Sequence, residues 1–117
     1  MTEELDDRRQ AIANRLRLAR EMAGLSQSQV ATMLGLNRPS VSEIEAGRRK
    51  VAAEELAQLA AIYGVDANWL SDAPRAGDAP GQDRIELAAR ELAKLKPEDL
   101  ERVLTLLQAL KPMGKAR

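Results

Sequence analysis

The chain has 117 residues, of which 44% are hydrophobic, and its 18 Lys plus Arg balance 18 Asp plus Glu, so the formal net charge is zero; that length suits one small domain, or one domain with an appendage. It contains no Cys and no His, which excludes disulfides, thiolate or imidazole zinc sites and imidazole acid–base catalysis. No apolar run approaches transmembrane length and the N-terminus, MTEELDD, is acidic and unlike a signal peptide, so a soluble cytoplasmic protein without membrane association is the expectation.

With no Phe, one Trp and one Tyr, the core must come from Leu, Ile, Val, Met and Ala. That composition suits thin, closely packed helices and argues against a β-sandwich. Residues 1–7 read as a flexible acidic lead-in. A first helix is expected from Arg8 to Ala23, ended by Gly24, with Ile12, Leu16 and Ala19 as its apolar stripe and Met22 or Ala23 continuing it. Ser26 is placed to cap a second helix, with Gln29 completing a capping box and Val30, Ala31 and Leu34 on one face. Gly35 stops it, because the position after a helix usually needs the left-handed backbone. Asn37 caps a third helix with Pro39 in its first turn, Val41 and Ile44 facing inward and Gly47 at its end. Two helices of about two turns each cannot bury much by themselves; they make sense as a helix-turn-helix whose second member lies in a DNA major groove. A fourth helix is expected over Ala53–Tyr63, with Leu56, Leu59 and Ile62 or Tyr63 inward, and Asp66 caps a short fifth helix carrying Trp69 and Leu70.

Residues 8–72 therefore form the expected first domain. The Pro-, Gly- and Asp-rich stretch that follows, 73–83, reads as a linker. Residues 84–111 read as a helical hairpin: Ile85, Ala88, Ala89, Leu92 and Leu95 recur at helical spacing, then Pro97, Glu98 and Asp99 open a second helix striped by Leu100, Val103, Leu104, Leu107 and Leu110. Pro112 and Gly114 end it, and 112–117 are expected to be a flexible tail.

From Ile12 to Leu70 the chain resembles the Cro/C1-type (XRE) helix-turn-helix regulators. The resemblance lies in RLRLAREMAG (Arg15–Gly24), the entry Leu25-Ser26-Gln27, the stretch Asn37–Gly47 closing on Ile-Glu-x-Gly, and AAIYGV with NWL near residue 70. It implies an all-α fold, a five-helix lambda-repressor-like domain, here followed by the two-helix hairpin, and double-stranded DNA as the partner. On the outward face of the third helix, Arg38, Pro39, Ser42 and Glu43 stand where the family points side chains at bases. Arg38 has the fork to bind guanine O6 and N7, and equally suits a phosphate. Glu43 either accepts from cytosine N4, holds Arg38 in place, or is an exposed glutamate away from DNA. Pro39 departs from the polar residue common there and offers only apolar contact. Gln27 is implied to bind a phosphate at the second helix's N-terminus. Asn37, Ser40, Arg48, Arg49 and Lys50 are candidate phosphate contacts, and Arg20 and Glu45 are implied to pair, tying the first helix to the end of the third.

The leucine-rich hairpin is too small to form a core alone. Its face, with Leu92, Leu100, Val103, Leu104, Leu107 and Leu110, must meet the first domain, a second copy, or another protein. Palindromic operators favour a symmetric homodimer, so the leading expectation is a homodimeric repressor of a pseudo-palindromic operator. The tail more loosely resembles regulators paired with an ImmA/IrrE-type metallopeptidase or a toxin, which implies an antitoxin or a labile repressor. An interaction module without specific DNA binding is the further alternative. No nucleophile–base pair or metal-ligand cluster points to an enzyme, and no cofactor or metal is expected.

Overall fold

The computed structural model describes residues 2–72 and 81–111. The chain divides into two compact units at Pro80–Gly81. Among the described residues all regular structure is helical: α1 (Thr2–Met22), α2 (Gln27–Leu34), α3 (Arg38–Glu45), α4 (Ala53–Tyr63) and α5 (Ala67–Ser71) in the first unit, α6 (Gln82–Ala93) and α7 (Pro97–Leu110) in the second. No helix among them is long and apolar enough to cross a membrane. Most of the expected linker, residues 73–80, and the expected tail, 112–117, lie outside the described residues.

Two boundaries differ from expectation. The first helix begins at Thr2 rather than Arg8, so residues 2–7 are helical. The linker ends sooner than residue 83, because α6 already includes Gln82 and Asp83, after Gly81 at φ 84°.

The short elements of the first unit form where their caps dictate. The Ser26 hydroxyl accepts from Gln29 N at 3.0 Å while Gln29 Oε1 accepts from Ser26 N at 2.8 Å, a closed capping box. Asn37 Oδ1 accepts from Ser40 N at 2.9 Å, and Asp66 Oδ1 from Asn68 N at 2.9 Å. Gly35, at φ 73°, ends α2 with its N–H bonded back into the last turn.

Helix α1 packs against α3, α4 and α5, α2 against α3 and α4, and α4 against α5. Ala13, Leu16, Leu18 and Ala19 of α1 meet a core of Val30, Ala31, Val41, Ile44, Leu59, Ala60, Tyr63, Trp69 and Leu70. Met22, expected to continue the α1 stripe, is half exposed. Burial pushes the Tyr63 phenol well above its ordinary range, and nearby Glu45 adds to the effect. Arg15 is one of two charged residues buried with this core among the described residues, only 5% exposed. Its guanidinium lies 4.4 Å from the centre of the Trp69 ring, donates to the Trp69 carbonyl and reaches the Asp72 carbonyl at 3.4 Å. A cation over an indole face, with carbonyls for its N–H groups, anchors the end of α5 to α1. Among the described residues no buried side-chain N or O lacks a partner.

In the second unit Leu87 is 1% exposed, whereas Ile85, assigned to the apolar stripe, is 64% exposed and Leu95 38%. The face of α6 withdrawn from solvent runs through Asp83, Leu87 and Glu91, with Ala88 and Leu92 beside it, one residue's rotation away from the expected stripe. Leu100 and Val103 of α7 are half-buried; Leu104, Leu106, Leu107 and Leu110 are exposed. Leu106 is a further exposed leucine outside the expected stripe.

Candidate nucleic-acid interface

The orientation of α3 is set from behind by charge. Arg20 on α1 meets Glu45 in the last turn of α3 through a two-pronged pair, Nε to Oε2 at 2.7 Å and Nη2 to Oε1 at 3.0 Å. The third guanidinium nitrogen donates to the Leu25 carbonyl at 2.8 Å, at the entry to α2. Glu45 is buried, its side chain 4% exposed, and that of Arg20 13%. A buried carboxylate in such a fork is fixed in direction as well as charge, and the pair holds the Arg20 guanidinium above its ordinary value. One residue from α1 thus grips both helices of the helix-turn-helix.

Gln27, the expected phosphate contact at the start of α2, donates from its Nε2 to Glu45 Oε1 at 3.0 Å. A buried carboxylate accepts several N–H groups at once, and this one takes the amide beside the two Arg20 prongs. Asn37 and Ser40 also satisfy each other, the Ser40 hydroxyl donating to Asn37 Oδ1 at 2.7 Å. Asn37, Arg38 and Pro39 are exposed at the start of α3, and Ser40, Ser42 and Glu43 are partly so.

Glu43 acquires a specific neighbour. Arg48 donates to both its carboxylate oxygens at 2.9 Å, which holds the Glu43 carboxyl below its ordinary range. The alternative in which Glu43 steadies Arg38 finds no such contact here; Arg48, brought round by the turn at Gly47, takes that place. Arg49 in turn donates to both oxygens of Glu55 at 3.0 and 3.3 Å. Arg49, together with the Ala52 N–H that Glu55 also accepts, keeps that carboxyl below its ordinary range. Two of the three basic residues that follow α3 are therefore paired with a carboxylate, while Lys50 is exposed.

Gly47 makes this turn possible. Its φ is 79°, and a Cβ there would stand 2.5 Å from Gln10 Oε1 on α1. Sequence analysis assigned Arg15 no role beyond the Arg15–Gly24 stretch. The signal was present, since Arg15 lies three residues after Ile12 and four before Ala19, on the inward face.

A helix-turn-helix family model matches residues 16–70, the span from the middle of α1 to α5. The chain is 34% identical to a protein of known crystal structure, the hypothetical transcription factor NHTF from Neisseria, with a TM-score of 0.54 over 71% of this chain and 87% of that one. It is also 29% identical over 79 residues to uncharacterized HTH-type transcriptional regulators of Sinorhizobium medicae and Rhizobium meliloti. Those matches cover 67% of this chain and 57% of each relative's length. With α2 and α3 joined by a tight turn, clamped from α1 through Arg20 and Glu45, and matched at these levels, the chain belongs to the XRE-type helix-turn-helix family.

Proposed function

We propose that this protein is a sequence-specific DNA-binding transcriptional regulator that represses by covering a pseudo-palindromic operator as a homodimer. The observation that carries the reading is α3: its start leaves Arg38 and Pro39 exposed, with Ser42 partly so, while its C-terminal turn is locked through Glu45 to α1 and α2. A reading helix must be rigid where it is held and bare where it reads. Arg38 and Ser42 supply polar groups for base edges, Pro39 an apolar surface for a thymine methyl. Asn37, Ser40, Arg48, Arg49 and Lys50 line the approach to the phosphates. Glu43 acts in this scheme as the positioner of Arg48. Gln27 steadies Glu45, and its remaining N–H is the part that serves a phosphate. Such a role places the protein with the chromosome in the cytoplasm and requires no catalytic residue.

The homodimer rests on α7, where Leu104, Leu106, Leu107 and Leu110 are 43 to 67% exposed. Four leucines on one short helix form the kind of apolar surface that marks an association site. A C2 pair of these helices would hold two α3 helices at half-sites about one turn of DNA apart or a multiple. A toxin or metallopeptidase on the same face is the competing occupant.

Selection of bound duplexes from a random library at two salt concentrations tests the proposal. The expected result is an inverted repeat whose affinity falls steeply with salt, by about one logarithmic unit of slope per phosphate neutralised. Arg38→Ala then relaxes preference at one position of each half-site; a uniform loss across all sequences makes Arg38 a phosphate contact. No enrichment by the folded chain refutes the DNA-binding reading.

A further inference from the structure

Beneath the turn that follows α3 lies a cleft of about 250 Å³. Its walls are apolar: Ile12 and Ala13 of α1, Ile44 of α3, Val51, and Leu56 of α4. Its rim is cationic, with Arg8, Arg9, Arg49 and Lys50, and among the described residues no acidic one lines it. Arg49 is engaged by Glu55 and Arg8 reaches the Ser71 carbonyl at 3.5 Å. Arg9 and Lys50 have no carboxylate partner among the described residues. An apolar pocket with a few convergent charges at its mouth is the general form of a small-molecule site.

We infer that this cleft binds a small amphipathic anion, a short acyl or aryl carboxylate, and that its occupation weakens DNA binding. Charge and size choose this ligand. The rim carries three cations beyond the one that Glu55 neutralises, so it attracts an anion and repels a cation. The apolar walls give a bare phosphate or acetate nothing to hold. The volume, about 250 Å³, is enough for a short chain or one ring. The regulatory half rests on the proposed DNA-binding function and on two residues. Lys50 is a candidate phosphate contact that a carboxylate in the cleft takes for itself, and Ile44 belongs to the last turn of α3, so a ligand packed against it bears on the reading helix.

The test titrates the full chain, without DNA, with octanoate, neutral octanol and acetate in a calorimeter. Octanoate is expected to bind saturably with one site per chain, and octanol and acetate at least about tenfold more weakly. Arg9→Gln with Lys50→Gln should weaken octanoate about tenfold. Val51→Trp, which fills the cleft from a half-buried wall position, should abolish binding in a chain shown helical by circular dichroism. Equal binding of octanol, an unchanged affinity in the Arg9/Lys50 variant, or no saturable uptake overturns the site. A cleft occupied by a second copy would also overturn it: the wild type would then take up no octanoate, and Val51→Trp would convert dimer to monomer in sedimentation. With the duplex recovered by selection, saturating octanoate should lower DNA affinity for the wild type and leave Val51→Trp unchanged; octanoate binding with no effect on DNA overturns the regulatory half. If no duplex is ever enriched, the DNA-binding reading fails while the calorimetry still decides whether the cleft binds the anion.

Discussion

Replacing Arg20 with Met removes both prongs from Glu45 and the donor from the Leu25 carbonyl, while keeping an apolar stem of similar length. The carboxylate, 4% exposed, is left with one amide donor, Gln27 Nε2 at 3.0 Å. Breaking a buried pair by removing one partner costs about 3–5 kcal/mol. Because the Arg20 side chain retains 13% exposure, water reaches the site and the lower end applies. The unsatisfied Leu25 carbonyl adds about 1 kcal/mol at most. A loss near 3 kcal/mol is a large part of the roughly 5–15 kcal/mol available to a small domain, and corresponds to a fall in Tm of about 12–24 °C. Urea unfolding followed by circular dichroism measures it directly. The double variant Arg20→Met/Glu45→Leu should recover part of the loss, since an apolar pair leaves no stranded charge. A destabilisation under about 1 kcal/mol, with additive behaviour in the double variant, would show that water satisfies Glu45 and that the clamp on α3 is not electrostatic.

Three other perturbations test separate parts of the structure. Gly47→Ala forces a side chain into φ 79° and against Gln10 Oε1, so it should cost about 1–2 kcal/mol; Gln10→Ala in the same chain should relieve the steric part and leave the backbone part, as urea midpoints will show. Glu55 has its folded pKa depressed by Arg49 and Ala52 N–H, so its contribution is complete above the unfolded value of about 4.3 and is lost as pH falls through the lower folded value. Wild type and Glu55→Gln should therefore differ in urea midpoint at pH 6, and the gap should close as pH falls through the depressed folded value of Glu55, whereas a constant gap would mean the carboxylate is not linked to folding. Leu104→Glu with Leu107→Glu should leave the chain folded, because both side chains are exposed, yet shift it to monomer in sedimentation and weaken operator binding; unchanged size and unchanged affinity together would remove α7 as the dimer face.

The helix-turn-helix was legible because its signals are local. Ser26 and Gln29, Asn37 and Ser40, and Asp66 and Asn68 each bond across two or three residues, so residue type and spacing alone predict where the backbone turns helical. Gly35 and Gly64 declare the ends of α2 and α4 in the same way, through a left-handed φ that other residues rarely adopt. The pairing of Arg20 with Glu45 came through family resemblance, as no local rule joins residues so far apart in the chain.

What only tertiary structure decided is which partner each long polar side chain takes. Arg48 and Arg49 look like free cations in sequence, but the turn at Gly47 swings one onto Glu43 and the other onto Glu55. Gln27 faces Glu45 because packing of α2 on α3 delivers a buried carboxylate to its amide. Arg15 is drawn into the core by an indole and two carbonyls that α5 carries to it from the far end of the domain. The cleft beneath Ile44 likewise exists only once α1, α3 and α4 meet. Helix periodicity marks an apolar face, but the choice of Leu87 over Ile85 as the buried residue of α6 depends on where its neighbours stand. Capping and glycine chemistry act within one turn of chain, whereas a charge five or fifty residues from its partner finds it only after the helices have packed.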